Sequence, residues 1–330
     1  MRIEFLGVCG GLLISQQMIA QTDSIANTQE LSDVVVTATN GIKSKFRADN
    51  TEIIGKGQLI RAACCNLGES FTTNPSVDVS YSDAATGARQ IKLLGLSGTY
   101  VQMLTENIPN LRGAALPYSL GYVPGPWMQS IQVSKGASSV KNGYESTTGQ
   151  INIEFLKPQG VDGVHANVYL DSELKTEVNL DGSIHLNDRL STATLLHFEN
   201  RQMDHDGNSD GFMDMPKLRQ YNLMHRWAYV SPVWISQLML RGLRDERDGG
   251  QSRKHANPVS SEPLYSTSVK TNRYEMQWKN GFTINADHNT SVALMLHGSW
   301  HDADHIFGMT QYDVTQKNGY AQLMFETDFN

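Results

Sequence analysis

After Pro158 the sequence alternates between apolar and other residues in stretches of about ten residues. Val164, Ala166, Val168 and Leu170 form one such row, then Val178, Leu180, Ile184 and Leu186, then Leu190, Thr192, Thr194, Leu196 and Phe198. Tyr221, Leu223, His225, Trp227 and Tyr229 follow, then Tyr274, Met276 and Trp278, then Val292, Leu294 and Leu296, then Ala321, Leu323 and Phe325. A period of two puts alternate side chains on opposite faces of a strand, so this half of the chain is restricted to β-sheet with two unlike faces. Asp171 to Lys175 and Asn187 to Arg189 read as short turns on one side of the sheet, whereas Arg201 to Lys217, Asp245 to Lys270 and His301 to Tyr312 read as long polar loops on the other. A soluble β-sandwich and a transmembrane barrel both satisfy this pattern. Mean hydropathy of −0.37 fits either, because barrel strands carry lumen-facing polar residues at every second position. No apolar run beyond residue 20 approaches the roughly 18 residues of a spanning helix.

The first residues read as a secretory signal peptide, 1–21. Arg2 precedes the apolar stretch Phe5 to Ile14, and Met18-Ile19-Ala20-Gln21 supplies a cut after Ala20. Cys9 lies too early in that stretch for a lipoprotein site. Of the three cysteines, Cys64 and Cys65 are adjacent, and vicinal disulfides are strained, so no disulfide framework is expected. A net charge of −7 argues against nucleic acid as a partner.

Residues 22–50 are polar and read as a flexible segment, interrupted by a β-prone burst over 31–39. Residues 51–158 have the texture of a small α+β domain. A helix is expected over Gly57 to Thr73, stopped at Pro75. Short strands are expected at Val77 to Tyr81, Gln90 to Leu94, Val101 to Thr105 and Ile131 to Ser134.

Four stretches within 31–157 resemble the TonB-dependent receptor family of outer-membrane transporters. Asp33-Val34-Val35-Val36-Thr37-Ala38 is similar to the TonB box, the segment gripped by the periplasmic protein TonB. Such a handle must be extended and β-prone, since the partner captures it by strand addition. Asn66-Leu67-Gly68-Glu69-Ser70-Phe71, followed by Asn74-Pro75-Ser76-Val77-Asp78-Val79, looks like the first plug helix and the strand after it. Gln90 to Leu96 and Val101 to Pro109 resemble the next plug region, with Leu94 where the family usually has Arg and Glu106-Asn107 where it has Asp-Gly. Ile131 to Gly136, Asn142-Gly143-Tyr144 and Gly149 to Ile153 resemble the end of the plug, with Gln132 at a position that is often Glu.

The resemblance implies a signal peptide, a plug domain (51–158) and an all-β antiparallel transmembrane barrel from 159 to 330. A plugged barrel of this kind has about 22 strands, which need roughly 400 residues; about eight strands fit after Pro158, so a partial barrel is expected. It further implies outer-membrane localisation and TonB-driven import, powered from the inner membrane, of a scarce solute such as a metal, metal chelate, haem or cobalamin. The partners implied are TonB with its energising complex, outer-membrane lipid and a small-molecule or metal-complex ligand. No cofactor is required by this reading.

Three clusters are candidate metal sites. Asp206, Asn208 and Asp210 match the first half of a calcium loop, with Asp204 and Asp214 beside them; Lys217 stands at the twelfth position, so this is no EF-hand, and a structural Ca²⁺ in an outer loop is the expectation. Cys64 and Cys65 offer soft thiolates suited to copper(I) or zinc, and buried inert cysteines are the plain alternative. His301, Asp304 and His305 offer zinc or copper ligands in the expected last loop, against a merely polar loop. No nucleophile elbow, zinc-protease, P-loop or dinucleotide motif is present, so an enzyme is not expected. A ligand-sensing surface receptor and an extracellular β-rich binding protein remain the alternatives to import.

Overall fold

The computed structural model describes residues 51–328 apart from 62–64, 73, 75–76, 137–141, 144, 161–162, 253–262 and 287–288. The signal peptide, the segment 22–50 with its box at 31–39, and Cys64 lie outside the described residues.

The first half builds two small sheets. Strands β1 (Thr51–Gly55), β5 (Val101–Thr105), β6 (Ile108–Pro109), β7 (Met128–Lys135) and β8 (Gly149–Phe155) form one sheet in the order β1-β7-β8-β5-β6. β5 and β8 run parallel and the other neighbours antiparallel. Strands β2 (Val77–Asp83), β3 (Ala88–Leu93) and β4 (Leu96–Ser97) form the second. Leu67, Leu93, Trp127, Ile131, Ile151 and Phe155 are buried between them, and a 3-10 stretch over Gly113–Gly121 adds Ala115, Tyr118 and Leu120.

The helix expected over Gly57 to Thr73 is much shorter. Helix α1 covers Lys56–Arg61, and only a 3-10 turn, Glu69–Phe71, follows. Tertiary hydrogen bonds override the helical spacing here. The Leu67 N–H donates to the Val123 carbonyl at 3.0 Å, and the Gly125 N–H to that of Cys65 at 3.0 Å. The Asn66 side chain accepts from the Glu69 N–H at 3.3 Å, competing with helical pairing.

From Val164 onward every described strand belongs to one sheet. Strands β9 (Val164–Leu170), β10 (Thr176–His185), β11 (Leu190–Arg201), β12 (Lys217–Val230), β13 (Trp234–Gly250), β14 (Ser266–Asn285), β15 (Thr290–Phe307) and β16 (Thr310–Glu326) pair antiparallel with their chain neighbours. Burial follows the sequence period. Asn222, Met224, Arg226 and Ala228 are buried against the first half, while Tyr221, Leu223 and Tyr229 face outward. Outward aromatic rings gather at one end of the sheet, where Trp234 lies 4.8 Å from Tyr229 and stacks on Phe282 at 5.9 Å between ring centres.

Three expectations are corrected. The connection at Asp171 to Lys175 lies at the same end as the long loops, because antiparallel order places it with 202–216, 251–265 and 308–309; the opposite end carries 186–189, 231–233 and 286–289. The later strands also outrun ten residues, reaching 20 in β14. β15 and β16 meet at a turn of Gly308 and Met309, so His301 to Tyr312 is no loop. Strand pairing needs only main-chain partners, so the ladder continues through polar residues that the apolar rhythm leaves unmarked.

Candidate functional site at the plug–wall interface

The two-residue turn between β5 and β6 places the most buried acid of the first half. Thr105 pairs with Ile108, and Glu106 and Asn107 both take left-handed φ, 50° and 67°, as a tight hairpin of this hand requires. Asn is suited to that backbone, which explains how Glu106-Asn107 substitutes for Asp-Gly. The turn drives Glu106 into the wall of the large sheet, where it is 1 % exposed.

Strand parity brings the cations to meet it. Arg226 of β12 reaches the Glu106 carboxylate at 2.6 Å and Lys279 of β14 at 3.1 Å. The Gln277 amide donates to the same carboxylate at 3.2 Å, and Lys279 also donates to the Glu106 carbonyl at 2.6 Å. Burial alone would push this carboxyl up, but Arg226, Lys279 and Lys157 overcome it and hold it down at about 2.

A second polar cluster lies further along the wall. Arg273 donates to the Asn110 side-chain carbonyl at 2.6 Å, and the Asn110 amide donates to Glu275 at 3.2 Å. Glu275 is shared by Arg241, at 3.3 Å, and by Arg273. Main-chain carbonyls of the first half accept from several of the other donors. Arg241 and Asn222 both donate to Tyr122, the latter at 2.8 Å, Gln220 donates to Gly121 at 3.0 Å, and Arg226 to Leu156 at 2.9 Å. On β16, Gln316 accepts from the Ala114 N–H at 2.6 Å and donates to the Arg112 carbonyl at 3.2 Å. Arg241 also lies over the rings of Trp127 and Phe155, 5.8 and 5.9 Å from their centres. Burial pushes the Tyr122 hydroxyl well up, so it stays protonated beside Thr271.

The arrangement is a fastening. Arg241 and Arg273 keep Glu275 as a partner within the wall, whereas Arg226 and Lys279 depend on Glu106 and would lose their carboxylate if the plug were removed. Nothing in it resembles a nucleophile with a base.

The sequence-derived metal candidates fare differently. His301 and His305 lie on the inward face of β15, 0 % and 5 % exposed, while Asp304 has the opposite parity. The proposed three-ligand loop is therefore incorrect: four strand residues separate the two imidazoles by roughly 13 Å of rise, and the carboxylate points away. His305 instead packs edge-on to Tyr118 at 5.6 Å. Cys65 is buried, its thiol pushed up by burial and hydrogen-bonded to Glu177, which leaves it protonated. In the 202–216 loop the carboxylates bind their own backbone. Asp206 accepts from the N–H groups of Asp210 and Gly211 at 3.2 and 3.0 Å, Asp210 from Phe212 at 2.8 Å and Asp214 from Gly207 at 2.8 Å. Asn208 donates to Asp210 at 2.9 Å, and Asp204 stands at the loop's entry. Among the described residues no three His, Cys, Asp or Glu side chains are gathered for one metal ion.

Sequence reading missed Arg226, Arg241, Arg273 and Lys279. The signal was present: once Tyr221, Leu223 and Tyr274 are placed outward, parity turns these cations inward, and an inward charge demands a partner.

The sequence pattern of the TonB-dependent receptor plug domain matches residues 45–150. No curated protein matches the chain. Among solved structures, the siderophore receptor PiuA of Acinetobacter baumannii is similar at 12 % identity and a TM-score of 0.59, covering 78 % of this chain and 37 % of that one. The ferripyoverdine receptor of the Pseudomonas aeruginosa outer membrane is similar at 13 % identity and 0.62, covering 82 % and 37 %. The alcaligin receptor FauA of Bordetella pertussis is similar at 9 % identity and 0.64, covering 83 % and 43 %. At these identities the likeness is one of fold, and the chain spans less than half the length of these receptors. Residues 45–150 are thus a TonB-dependent receptor plug domain by sequence pattern, joined through Glu106 to two cations of an eight-stranded antiparallel sheet whose fold is that of the receptor structures.

Proposed function

We propose that this protein imports a scarce metal-containing solute across the outer membrane, with TonB supplying the force. The observation that carries the reading is the buried attachment of Glu106 to Arg226 and Lys279. A plug whose buried carboxylate is shared by two wall cations, with further hydrogen bonds around it, is released more readily with work from outside. The segment Asp33-Val34-Val35-Val36-Thr37-Ala38 is the handle through which TonB delivers it. Among the described residues the chain starts at β1, the edge strand of the five-stranded plug sheet, which pairs with β7. An edge strand peels one pair of hydrogen bonds at a time, so the pull is transmitted stepwise.

Iron–siderophore complexes are favoured as cargo because similar structures are named for siderophore, ferripyoverdine and alcaligin. Haem and cobalamin are the alternatives. The outward row of Leu223, Leu240, Tyr274 and Met276 is apolar and exposed, as contact with outer-membrane lipid requires. Calcium in the Asp204–Asp214 loop would order the loop for ligand capture, with no role as cargo.

Deleting Asp33 to Ala38 in the intact receptor tests the coupling. Uptake of the labelled iron complex is expected to vanish while surface binding persists. Normal uptake by that variant would refute the reading, and so would a secreted, detergent-free protein.

A further inference from the structure

The inward face of the wall is segregated by charge. On β12, β13 and β14 it carries Arg226, Arg241, Arg247, Arg273 and Lys279 against only Asp245 and Glu275. On β10 and β11 the ionisable groups of inward parity are Glu177, Asp181, His185, His197 and Glu199, with Lys175 at the turn. The cations are also strung out along the strands. In register, Arg247 stands opposite Val269, Arg241 opposite Glu275, and Arg226 opposite Met239. From the level of Arg247 to that of Arg226 is eight residues of β13, roughly 27 Å of strand, comparable to the height of a barrel's apolar band.

The plug compensates this surplus with acceptors. Glu106 gives a carboxylate to Arg226 and Lys279, Asn110 gives an amide oxygen to Arg273, and the carbonyls of Tyr122 and Leu156 serve Arg241 and Arg226. Only one of these acceptors is charged. When the plug withdraws, a column of guanidinium and ammonium groups faces a confined space, where low-dielectric walls strengthen the field on a passing solute. Rows of Arg and Lys select anions in pores, and several weak stations let a solute enter and leave.

We propose that the cargo is an anionic, acceptor-rich solute, and that Arg226, Arg241, Arg273 and Lys279 are the track it follows once the plug has moved. The plug's acceptors hold the track closed, and the solute's own oxygens replace them. This rests on the import reading, but its test does not involve TonB.

The intact receptor is placed in a planar bilayer under a potassium chloride gradient, and urea is added until the plug loosens and current flows. The reversal potential reports the preference between chloride and potassium. Arg226→Gln, Arg273→Gln and Lys279→Gln combined should move it towards the potassium limit. Arg226→Lys with Arg273→Lys, which keeps the charge and changes the shape, should leave it at the wild-type value. An unmoved potential in the Gln variant overturns the proposal, as does an equal movement in the Lys variant, which would assign the effect to altered packing. Neither result affects the box-deletion outcome, so failure of the track and failure of import remain distinct.

Discussion

Replacing Glu106 with Gln removes one charge from the centre of the plug–wall contact and changes almost nothing in shape. The left-handed turn tolerates Gln as it does Glu, and the amide oxygen still accepts a hydrogen bond. What is lost is the charge facing Arg226 at 2.6 Å and Lys279 at 3.1 Å. Those cations hold the carboxyl at about 2 against its ordinary 4.5. At about 1.4 kcal/mol per pH unit, that gap corresponds to about 3 kcal/mol of attachment. Breaking one half of a buried pair costs about 3–5 kcal/mol in other proteins, which agrees. With a urea dependence of about 1–3 kcal/mol per molar, plug release should move down by about 1–3 M. Urea titration of the intact receptor, read by protease cleavage within the plug, measures this. The pH dependence has a fixed sign. Because the folded value is depressed, the attachment is complete above pH 4.5 and is lost as pH falls towards about 2. The Gln variant should therefore lose the acid sensitivity seen in that window. An unchanged urea midpoint, with acid sensitivity intact, would show that the pair contributes nothing to plug retention.

Gly249→Ala would set a methyl carbon 1.9 Å from the Ala85 carbonyl, so β13 must back away from the plug; a loss of about 1–3 kcal/mol is expected, read as a lower melting temperature. Trp127→Ala empties a fully buried site beneath Arg241 and beside His197, and should cost about 3–5 kcal/mol in the same measurement. Calcium should slow proteolysis between Asp204 and Asp214, and Asp206→Asn with Asp210→Asn should abolish the protection; equal cleavage with and without calcium would reject an ion there.

The wall was legible because its code is local. Tyr221, Leu223 and Tyr229 announce their face by period alone, and the plug strands at Val101 to Thr105 and Ile131 to Ser134 were equally plain. The spacing over Gly57 to Thr73 suggests a longer helix than forms because Leu67 and Gly125 bond across the fold, which spacing does not reveal. His301 and His305 read as loop residues because polar strands have no apolar rhythm, yet alternate positions there still point inward. The pairing of Glu106 with Arg226 and Lys279 depends on contacts more than a hundred residues apart in sequence, which no motif records.

Gln220, Asn222, Arg226 and Arg241 all take hold of carbonyl oxygens belonging to the peptide chain itself. Every amino acid has that oxygen, so exchanging Tyr122 or Leu156 leaves the anchor points in place provided the chain still traces the same path, whereas a side chain at Gly121 would press on Arg247. Sequence there is free to drift while geometry is not, and a stopper of this kind can be recognised by shape long after its letters have ceased to match.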